Sequence, residues 1–364
     1  MHLAIAIPTF NRLTYLQKNI DILLNQKIDS NIKISICISN TASTDETYDY
    51  LEKLCKLQSS VKICNKKYEN QLLNLEGLAS IIPNDADWIW YLGDDDMLTS
   101  MNAINKIIEI IKKNDIEFLH ITQQRRSYRN GKFLIDTIEN LCNFFGYLEV
   151  LGWISSLIVK KDIFLKCILE THSRAQKDWD TFSAFNHSYY FYKELYKRKC
   201  AIYDGGLVDP QDLKQTDQSI ERWKKDNIPE KYLYIALDII NLKKSGFLPQ
   251  STKHNFFRYQ NINIWDRWII YLVNETIRSD ISDNIKLGNL FLKKFDFFWN
   301  LLINFSEVID DEVSKKILIN NFKTVMGICI KYLFEKNNRS IYQPFLVDQI
   351  MLAKKSCFDF KTII

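Results

Sequence analysis

The sequence predicts an α/β fold with a mostly parallel sheet flanked by helices, followed by a C-terminal helical region. Short apolar runs alternate with amphipathic helical patterns over about the first hundred residues, which is typical of βαβ units. Polar clusters directly follow three of the predicted strands. From about residue 225 the apolar residues recur at helical spacing, with lysine and asparagine between them.

The first two strand–helix units are the clearest. Residues 3–7, LAIAI, form a short apolar run of the kind found in buried parallel strands. Residues 14–26 then place leucine and isoleucine at helical spacing. The isoleucine-rich run 33–39 is a second strand, and a helix is expected to begin at Ser43 or Thr44, where acidic residues would occupy its first turn.

The remaining elements of this part are predicted from the same two patterns. The expected strands are 61–66, 88–93, 117–123 and 153–161, and the expected helices are 71–82 and 101–113.

The composition is that of a globular protein with a substantial core. The chain has 364 residues, of which 46% are apolar and 25% are charged. This length predicts two domains, residues 1–220 and 221–364. The eight cysteines form no C-x-x-C pair and no zinc-binding spacing, which indicates buried thiols in a reducing cytoplasm. No apolar run reaches the roughly 18 residues of a membrane span.

The basic residues are concentrated in the C-terminal third. Residues 241–364 carry a formal balance of +6, and residues 1–240 carry −2. Aromatic residues line one face of the helices predicted there. Two interpretations stay open: an ordinary solvated helical surface over a packed core, or a surface that contacts an anionic partner or a membrane.

Three polar clusters are expected to meet at one edge of the sheet. They are Pro8–Arg12, Ser39–Thr41 and Asp94–Asp96, and each follows a predicted strand. Ligands of open α/β sheets bind beyond the carboxyl ends of the strands. The sequence therefore predicts a single site built from all three clusters.

The three consecutive aspartates suit a hard divalent cation. Carboxylates this close repel one another, and Mg²⁺ or Mn²⁺ would offset that repulsion and complete its shell with substrate phosphates. The alternative is a solvated acidic turn. A calcium loop of the EF-hand type is a poor match because the aspartates are contiguous, no glycine follows at the required place, and position twelve, counted from Asp94, is Asn105.

The three clusters and their flanking elements resemble the nucleotide-sugar domain of GT-A fold glycosyltransferases of family 2. The motifs that carry the resemblance are IAIPTFNRLTYLQKNIDILLNQ, ICISNTASTDETYDYL and WIWYLGDDDMLTS, in this order and spacing. The second and third motifs are similar to those of bacterial O-antigen sugar transferases. The resemblance covers roughly residues 1–210.

The resemblance implies a nucleotide pocket at the first two clusters. Pro8, Thr9 and Asn11 would line it, and Arg12 would lie close to the phosphates. The family usually has an aspartate after the second strand, which accepts a hydrogen bond from uracil. Here that residue is Asn40. Since asparagine both donates and accepts, uracil, cytosine and thymine all remain open as the base.

The third cluster departs from the family's common D-x-D-D form because Gly93 replaces the first aspartate. The resemblance implies that Asp95 is the ligand of Mn²⁺ or Mg²⁺ that also binds the donor diphosphate. Asp94 would then lie near the ribose, and Asp96 would support the metal. Asp45 is expected to cap or orient a helix start instead of touching the donor.

The family's catalytic base is usually an aspartate in an E-D-W motif. RAQKDWDTFSAF resembles that motif, which implies Asp178 as the base, followed by Trp179. The expected glutamate is Lys177, and a neighbouring lysine favours the charged form of Asp178 and lowers its basicity. Asp180 is therefore the reserve candidate. Trp153, Ser155 and Ser156 would face the acceptor.

Taken together, these features predict a metal-dependent, inverting glycosyltransferase at the cytoplasmic side of the membrane. Its donor would be a UDP-, CDP-, dTDP- or GDP-linked sugar, and its acceptor a glycan or lipid-linked glycan of lipopolysaccharide, lipooligosaccharide or capsule. The C-terminal helical region would cover the acceptor side or contact the inner face of the cytoplasmic membrane. No nucleic-acid partner is expected. Two alternatives stay open: a non-catalytic sugar- or metal-binding module, and a nucleotidyltransferase, although PTFNRLTYL lacks that class's glycine-rich loop.

Overall fold

A computed structural model describes residues 1–41, 43–66, 74–124, 133–177, 183, 185–211 and 228–248, and short stretches between 252 and 320. The chain divides into two compact units, Met1–Asp226 and Asn227–Ile364. The site lies in the first unit. In the second unit, the longest helix among the described residues is Ile228–Lys244. Most of the predicted C-terminal helical region lies outside the described residues, so its role stays a prediction.

The first unit is built from alternating strands and helices. Its first half comprises the strands β1 (His2–Thr9), β2 (Lys33–Asn40), β3 (Val61–Asn65), β4 (Trp88–Tyr91) and β5 (Asp96–Leu98), and the helices α1 (Leu13–Leu24), α2 (Thr47–Leu57), α3 (Asn74–Ile81) and α4 (Ala103–Lys113). The second half comprises β6 (Phe118–Gln123), β7 (Phe133–Thr137), α5 (Ile138–Phe145), α6 (Tyr147–Leu151), a 3₁₀ turn (Ile154–Ser156), β8 (Leu157–Lys160), α7 (Lys161–Lys177), α8 (Asn186–Leu195) and β9 (Lys199–Pro210).

One sheet joins the described strands in the order β3-β2-β1-β4-β8-β6-β9-β5, and β7 also pairs with β9. The neighbours β3, β2, β1 and β4 are parallel, as are β6 and β9. Strands β8, β5 and β7 run antiparallel to their partners. The predicted α/β class, with a mostly parallel sheet flanked by helices, is confirmed.

Strand β1 is the centre of the core because both of its faces are covered. Leu3, Ile5 and Ile7 are fully buried in one cluster with apolar residues of α1 and α4. The opposite face carries the small residues Ala4 and Ala6, and there α3 packs close to β1 and β2. Burying each large aliphatic side chain contributes about 1.5–3 kcal/mol, so the apolar run specifies the position of this strand.

Two predicted boundaries were wrong. The helix expected to begin at Ser43 or Thr44 begins at Thr47, because the two earlier residues bind the side chains of Asn40 and Asn11 in a turn. The strand expected over 153–161 is β8, which begins only at Leu157. The 3₁₀ turn before it brings Ser155 to the end of β4, where the Ser155 hydroxyl binds the backbone N–H of Gly93.

The other predicted elements are present with small shifts at their ends, except that residues 71–73 of the third expected helix lie outside the described part of the chain. Among the helices the structure describes, none has the length and apolar character needed to cross a bilayer.

Candidate functional site

Polar residues lie together at the carboxyl ends of β1, β2 and β4. Thr9, the last residue of β1, donates a hydrogen bond through Oγ1 to Oδ2 of Asp94 over 2.8 Å. Asp94 lies three residues beyond the end of β4, which is the parallel neighbour of β1. The structure therefore brings the first and third predicted clusters into direct contact.

Arg12 connects two of the three aspartates. Its Nη1 lies 3.0 Å from Oδ1 of Asp94 and 2.8 Å from Oδ2 of Asp95. Asp94 is buried, with 6% of its side chain exposed, whereas Asp95 is 41% exposed and Arg12 28%. The Arg12 carbonyl accepts the backbone N–H of Leu16 at the start of α1, which fixes the base of the arginine side chain. Because Asp95 and Arg12 are partly exposed, one side of this charged cluster is open to a ligand.

The turn before Arg12 is held by the loop between β2 and α2. Asn11 has a φ of 51°, in the left-handed region that asparagine tolerates better than most residues. Its backbone N–H donates to Oγ of Ser43 over 2.8 Å, and its Oδ1 accepts the backbone N–H of Thr44 over 2.7 Å. The Asp45 carboxylate accepts the N–H groups of Leu13 and Thr47. Asp45 therefore orients the starts of α1 and α2, as predicted.

Asp96 points away from Arg12. Its carboxylate accepts hydrogen bonds from the Ser155 hydroxyl and from the Trp153 side chain. A Cβ placed on Gly93 would lie 2.7 Å from Oδ2 of Asp96 and 3.2 Å from Oγ of Ser155. No side chain fits there without displacing these groups. This contact gives a physical reason for glycine where the common family motif has its first aspartate.

The backbone of Asp95 is also held by the residue that follows β9. Its backbone carbonyl accepts the N–H of Gln211, the residue that follows β9, over 2.8 Å. Asn19 of α1 donates to the Gly93 carbonyl over 2.9 Å. The turn that carries the aspartates is thus fixed by α1, β9 and the 3₁₀ turn.

Burial and mutual repulsion perturb the ionisation of this turn. Burial, followed by the charge of Asp95, raises the pKa of Asp96 to about 7. Burial also raises the pKa of Asp94 to about 6 even though Arg12 opposes that shift. Burial alone would lower the pKa of Arg12, but the negative charges of Asp94 and Asp95 raise it by a larger amount. The pKa of Arg12 therefore lies above its ordinary value. The site therefore concentrates negative charge that a cation stabilises, and the guanidinium of Arg12 is one such cation.

Asn40, at the end of β2, is completely buried. Its Oδ1 accepts hydrogen bonds from the backbone N–H and the hydroxyl of Ser43, over 3.3 and 2.6 Å. Its Nδ2 has no partner within the described part of the chain, and neither does Oγ1 of the adjacent Thr41. Buried polar atoms of this kind are normally satisfied, so we expect a water molecule or a ligand to bind them.

The side chains at this site supply only part of the ligands that a divalent cation needs. Among the described residues, no group of three or more His, Cys, Asp or Glu side chains could hold a metal ion by itself. Asp95 is half-exposed, and its hydrogen bond with Arg12 uses only Oδ2. Mg²⁺ and Mn²⁺ are often held by one or two carboxylates together with substrate phosphates, which is compatible with this arrangement. Asp95 would be the direct ligand, and Asp96 stays a predicted supporting ligand that lies against Ser155.

The other predicted site residues divide into two groups. Pro8 lies within β1, paired with Ser39, and is buried behind the polar edge. Asp178 and Asp180, the candidate bases, lie outside the described residues, and α7 ends just before them at Lys177. Their roles stay predictions.

Sequence reasoning missed the parts of the site that act through backbone contacts. The roles of Asn19, Ser43 and Ser155 depend on long-range hydrogen bonds that no local motif encodes. Ser43 was expected only as a helix start, and Ser155 only as a residue that faces the acceptor. The structure shows that Ser155 supports the aspartate turn, and its contact with an acceptor stays a prediction.

Comparisons with known proteins agree with this geometry. Residues 4–161 match the model of the glycosyl transferase family 2. Abequosyltransferase RfbV of Salmonella typhimurium is 27% identical over 179 residues, which are 44% of this chain and 54% of that protein. An uncharacterized glycosyltransferase of Haemophilus influenzae is 25% identical over 143 residues, covering 39% of this chain and 40% of that protein. The chain thus matches about half or less of the length of these relatives.

The fold also has a counterpart among solved structures. The crystal structure of Staphylococcus aureus TarS residues 1–349 in complex with UDP-GlcNAc superposes with a TM-score of 0.54 at 12% identity, covering 98% of this chain and 91% of that one. At this identity the likeness concerns the fold, which is GT-A. The expected resemblance is confirmed: residues 4–161 match the glycosyl transferase family 2 model, and the fold is that of GT-A glycosyltransferases.

Proposed function

We propose that this protein transfers a sugar from a nucleoside diphosphate donor to a glycan acceptor. The observation that carries the proposal is the contact of Arg12 with both Asp94 and Asp95 at the carboxyl ends of parallel strands, within a family 2 domain. A cation beside a half-exposed carboxylate is suited to a diphosphate and its metal ion.

Arg12, Asp95 and Asp94 have separate roles in donor binding. Arg12 is partly exposed and, once released from Asp95, donates N–H groups to the phosphates. Asp95 would hold Mn²⁺ or Mg²⁺, which supplies Lewis-acid stabilisation of the leaving diphosphate. Asp94 is buried and keeps Thr9 and Arg12 in place, near the proposed ribose position.

The transfer step needs a base on the acceptor side. The acceptor hydroxyl oxygen attacks the anomeric carbon, its proton passes to a carboxylate, and the bond from the anomeric carbon to the diphosphate oxygen breaks with inversion. We assign the carboxylate to Asp178, with Asp180 in reserve. The resemblance of RAQKDWDTFSAF to the family motif supports this assignment.

The acceptor we propose is a bacterial envelope glycan, free or lipid-linked, assembled at the cytoplasmic face of the membrane. Two observations support it: the similarity to an abequosyltransferase, and the +6 balance of residues 241–364, which suits an anionic membrane surface. Lipopolysaccharide, lipooligosaccharide and capsule precursors all belong to this class.

Calorimetric titration tests the donor site. CDP, UDP, dTDP and GDP are titrated with and without Mn²⁺ into the wild type and into Asp95→Asn. Asp85→Asn is the matched control because Asp85 is an exposed carboxylate that binds Lys33 on the surface. We expect at least one diphosphate to bind, Mn²⁺ to tighten that binding, and only Asp95→Asn to lose the Mn²⁺ effect. A folded wild-type protein that binds none of the four would contradict the proposal.

A further inference from the structure

The short helix α6 ends directly before the 3₁₀ turn that holds Asp96. Its last residue, Leu151, lies two positions before Trp153 and four before Ser155. Both of these later residues donate to the Asp96 carboxylate, and the Ser155 hydroxyl also accepts the backbone N–H of Gly93 over 2.8 Å. The place where α6 ends therefore limits where these two donors can lie.

This helix cannot hold its end in place by itself. It has five residues and is preceded and followed by glycine. The last carbonyls of a helix have no partner within the helix, and so short a helix has little stability of its own. The carbonyls at the end of α6 consequently need partners from other elements.

Buried side chains of β6 and α8 supply these partners. Nδ1 of His120 lies 2.9 Å from the carbonyl oxygen of Val150. The carbonyl oxygen of Leu151 lies 3.1 Å from Nε2 of His187 and accepts the hydroxyl of Ser188 over 2.9 Å. A carbonyl oxygen can only accept, so His187 carries a proton on Nε2 and both lone pairs of this oxygen are used.

The residues that hold Leu151 are fixed in turn. Ser188 is fully buried, and its backbone N–H donates to the Phe185 carbonyl over 2.8 Å at the start of α8. The His187 ring packs edge-on against Tyr91, the last residue of β4, with 6.3 Å between the ring centroids. The first turn of α8 therefore contacts both the strand that leads into the aspartates and the helix that precedes the 3₁₀ turn.

We propose that His187 and Ser188 are positioning residues for the donor site. By holding the Leu151 carbonyl, they keep the 3₁₀ turn in the place from which Ser155 supports the aspartate turn, residues 93–96. This inference rests on the proposed function, which assigns the donor diphosphate and its metal ion to the aspartate turn.

The position of α8 in the chain extends this role to the acceptor side. α8 begins at Asn186, eight positions after Asp178, the proposed base. α7, which ends at Lys177, packs against α8, where Nζ of Lys166 lies 2.8 Å from Oε2 of Glu194. The helices that flank the proposed base in sequence are thus connected to the aspartate turn through the last carbonyl of α6.

Hydrogen exchange followed by mass spectrometry tests this role on the ligand-free protein. In Ser188→Ala, the backbone amides of residues 92–98 should exchange about three- to tenfold faster, the effect of losing one hydrogen bond, while those of β1 keep their wild-type rates. Thr171→Val is the matched control, because it removes a buried hydroxyl that donates to a carbonyl within α7, and it should leave residues 92–98 unchanged. If Ser188→Ala accelerates only α6 and α8, or accelerates the aspartate turn and β1 equally, the contact merely stabilises the structure and the proposal is wrong.

Two further variants and a double-mutant cycle identify the route of this effect. His187→Phe keeps an aromatic ring but removes the Nε2 donor, so it should accelerate residues 92–98 as Ser188→Ala does. Ser188→Thr keeps the hydroxyl and should retain the wild-type rates. In the Ser155→Ala background, Ser188→Ala should add less than its full effect, because both changes remove the same support of the aspartate turn. Full multiplication of the two effects would contradict the route through Ser155.

Nucleotide titration separates this role from the proposed function. UDP, CDP, dTDP and GDP are titrated with and without Mn²⁺ into the wild type and into Ser188→Ala. The variant should keep its affinity without Mn²⁺ and lose about threefold of the gain that Mn²⁺ gives, less than the roughly tenfold lost with a direct partner of a metal ligand. A wild-type protein that binds none of the four would overturn the proposed function, whereas the exchange rates still decide whether the contact positions the aspartate turn. A Mn²⁺ effect that is the same in both proteins would overturn the role of Ser188 in the donor site.

Discussion

Arg12 lies 2.8 Å from Asp95, and it therefore occupies the carboxylate that the metal ion of the proposed site requires. The same guanidinium neutralises the buried Asp94, whose carboxylate also accepts the hydroxyl of Thr9. Arginine thus serves as the counter-ion of the ligand-free site. A divalent cation and a diphosphate together can replace this arrangement, since the diphosphate gives the guanidinium a new anion.

Replacing Arg12 with glutamine should separate the binding of metal from the binding of nucleotide. Without the competing guanidinium, Mn²⁺ should bind the protein about two- to fivefold more tightly, a modest gain because Asp95 is partly screened by solvent. The nucleoside diphosphate should bind more weakly because its cationic partner is lost. Electron paramagnetic resonance of free Mn²⁺ measures the first effect and calorimetry measures the second. If both affinities fall together, Arg12 only supports the structure.

Gly93→Ala should destabilise the domain. The added methyl group would lie 2.7 Å from Oδ2 of Asp96 and would force apart the contact of Asp96 with Ser155. Overpacking at a buried position costs about 1–3 kcal/mol of unfolding free energy. Urea denaturation followed by circular dichroism measures this change. An unchanged midpoint would show that Asp96 moves aside at no cost.

Asp178→Asn should abolish transfer while leaving the affinity for the donor diphosphate unchanged. The loss of a general base reduces the rate by about 10²–10⁴-fold. Incorporation of labelled sugar into isolated envelope glycan measures transfer, and calorimetry measures donor affinity on the same preparation. Asp180→Asn is the matched control two residues away. If only Asp180→Asn loses transfer, the role of base passes to Asp180.

The sequence predicted the strands better than the turns between them. Leu3, Ile5 and Ile7 specify β1 by their apolar character alone, and the topology then places Thr9, Asn40 and Asp94 at one edge. The start of α2 at Thr47 could not be predicted, because Ser43 binds the backbone of Asn11, thirty-two positions earlier, as well as the side chain of the nearby Asn40. A local capping pattern does not encode such competition.

The inward orientation of Asp96 was unpredictable for a related reason. Three adjacent aspartates look equivalent in sequence, but Ser155, fifty-nine positions away, binds only Asp96, and Arg12 binds only the other two. The departure of Gly93 from the family motif was visible in the sequence. Its cause became visible only with the position of Ser155 beside it.

Two buried histidines should make the domain sensitive to mild acid. Burial lowers the pKa of His120 and of His187 to about 4, although hydrogen bonds with the carbonyls of Val150 and Leu151 oppose the shift. Because the folded pKa lies below the unfolded value of about 6.5, the stability they contribute is complete above pH 6.5 and is lost as the pH falls toward 4.

His187→Gln should therefore flatten the dependence of stability on pH between 6.5 and 4. His187 lies among aromatic rings, including those of Tyr91 and Phe191, so glutamine also lowers stability at neutral pH, but by an amount that does not change with pH. The measured quantity is the difference in unfolding free energy between wild type and variant at pH 7.5, 6 and 5. Asp94 and Asp96 have raised pKa values and act with the opposite sign, and their contribution cancels in this difference. A difference that stays constant across the three pH values would show that His187 is protonated in the folded protein as readily as in the unfolded chain.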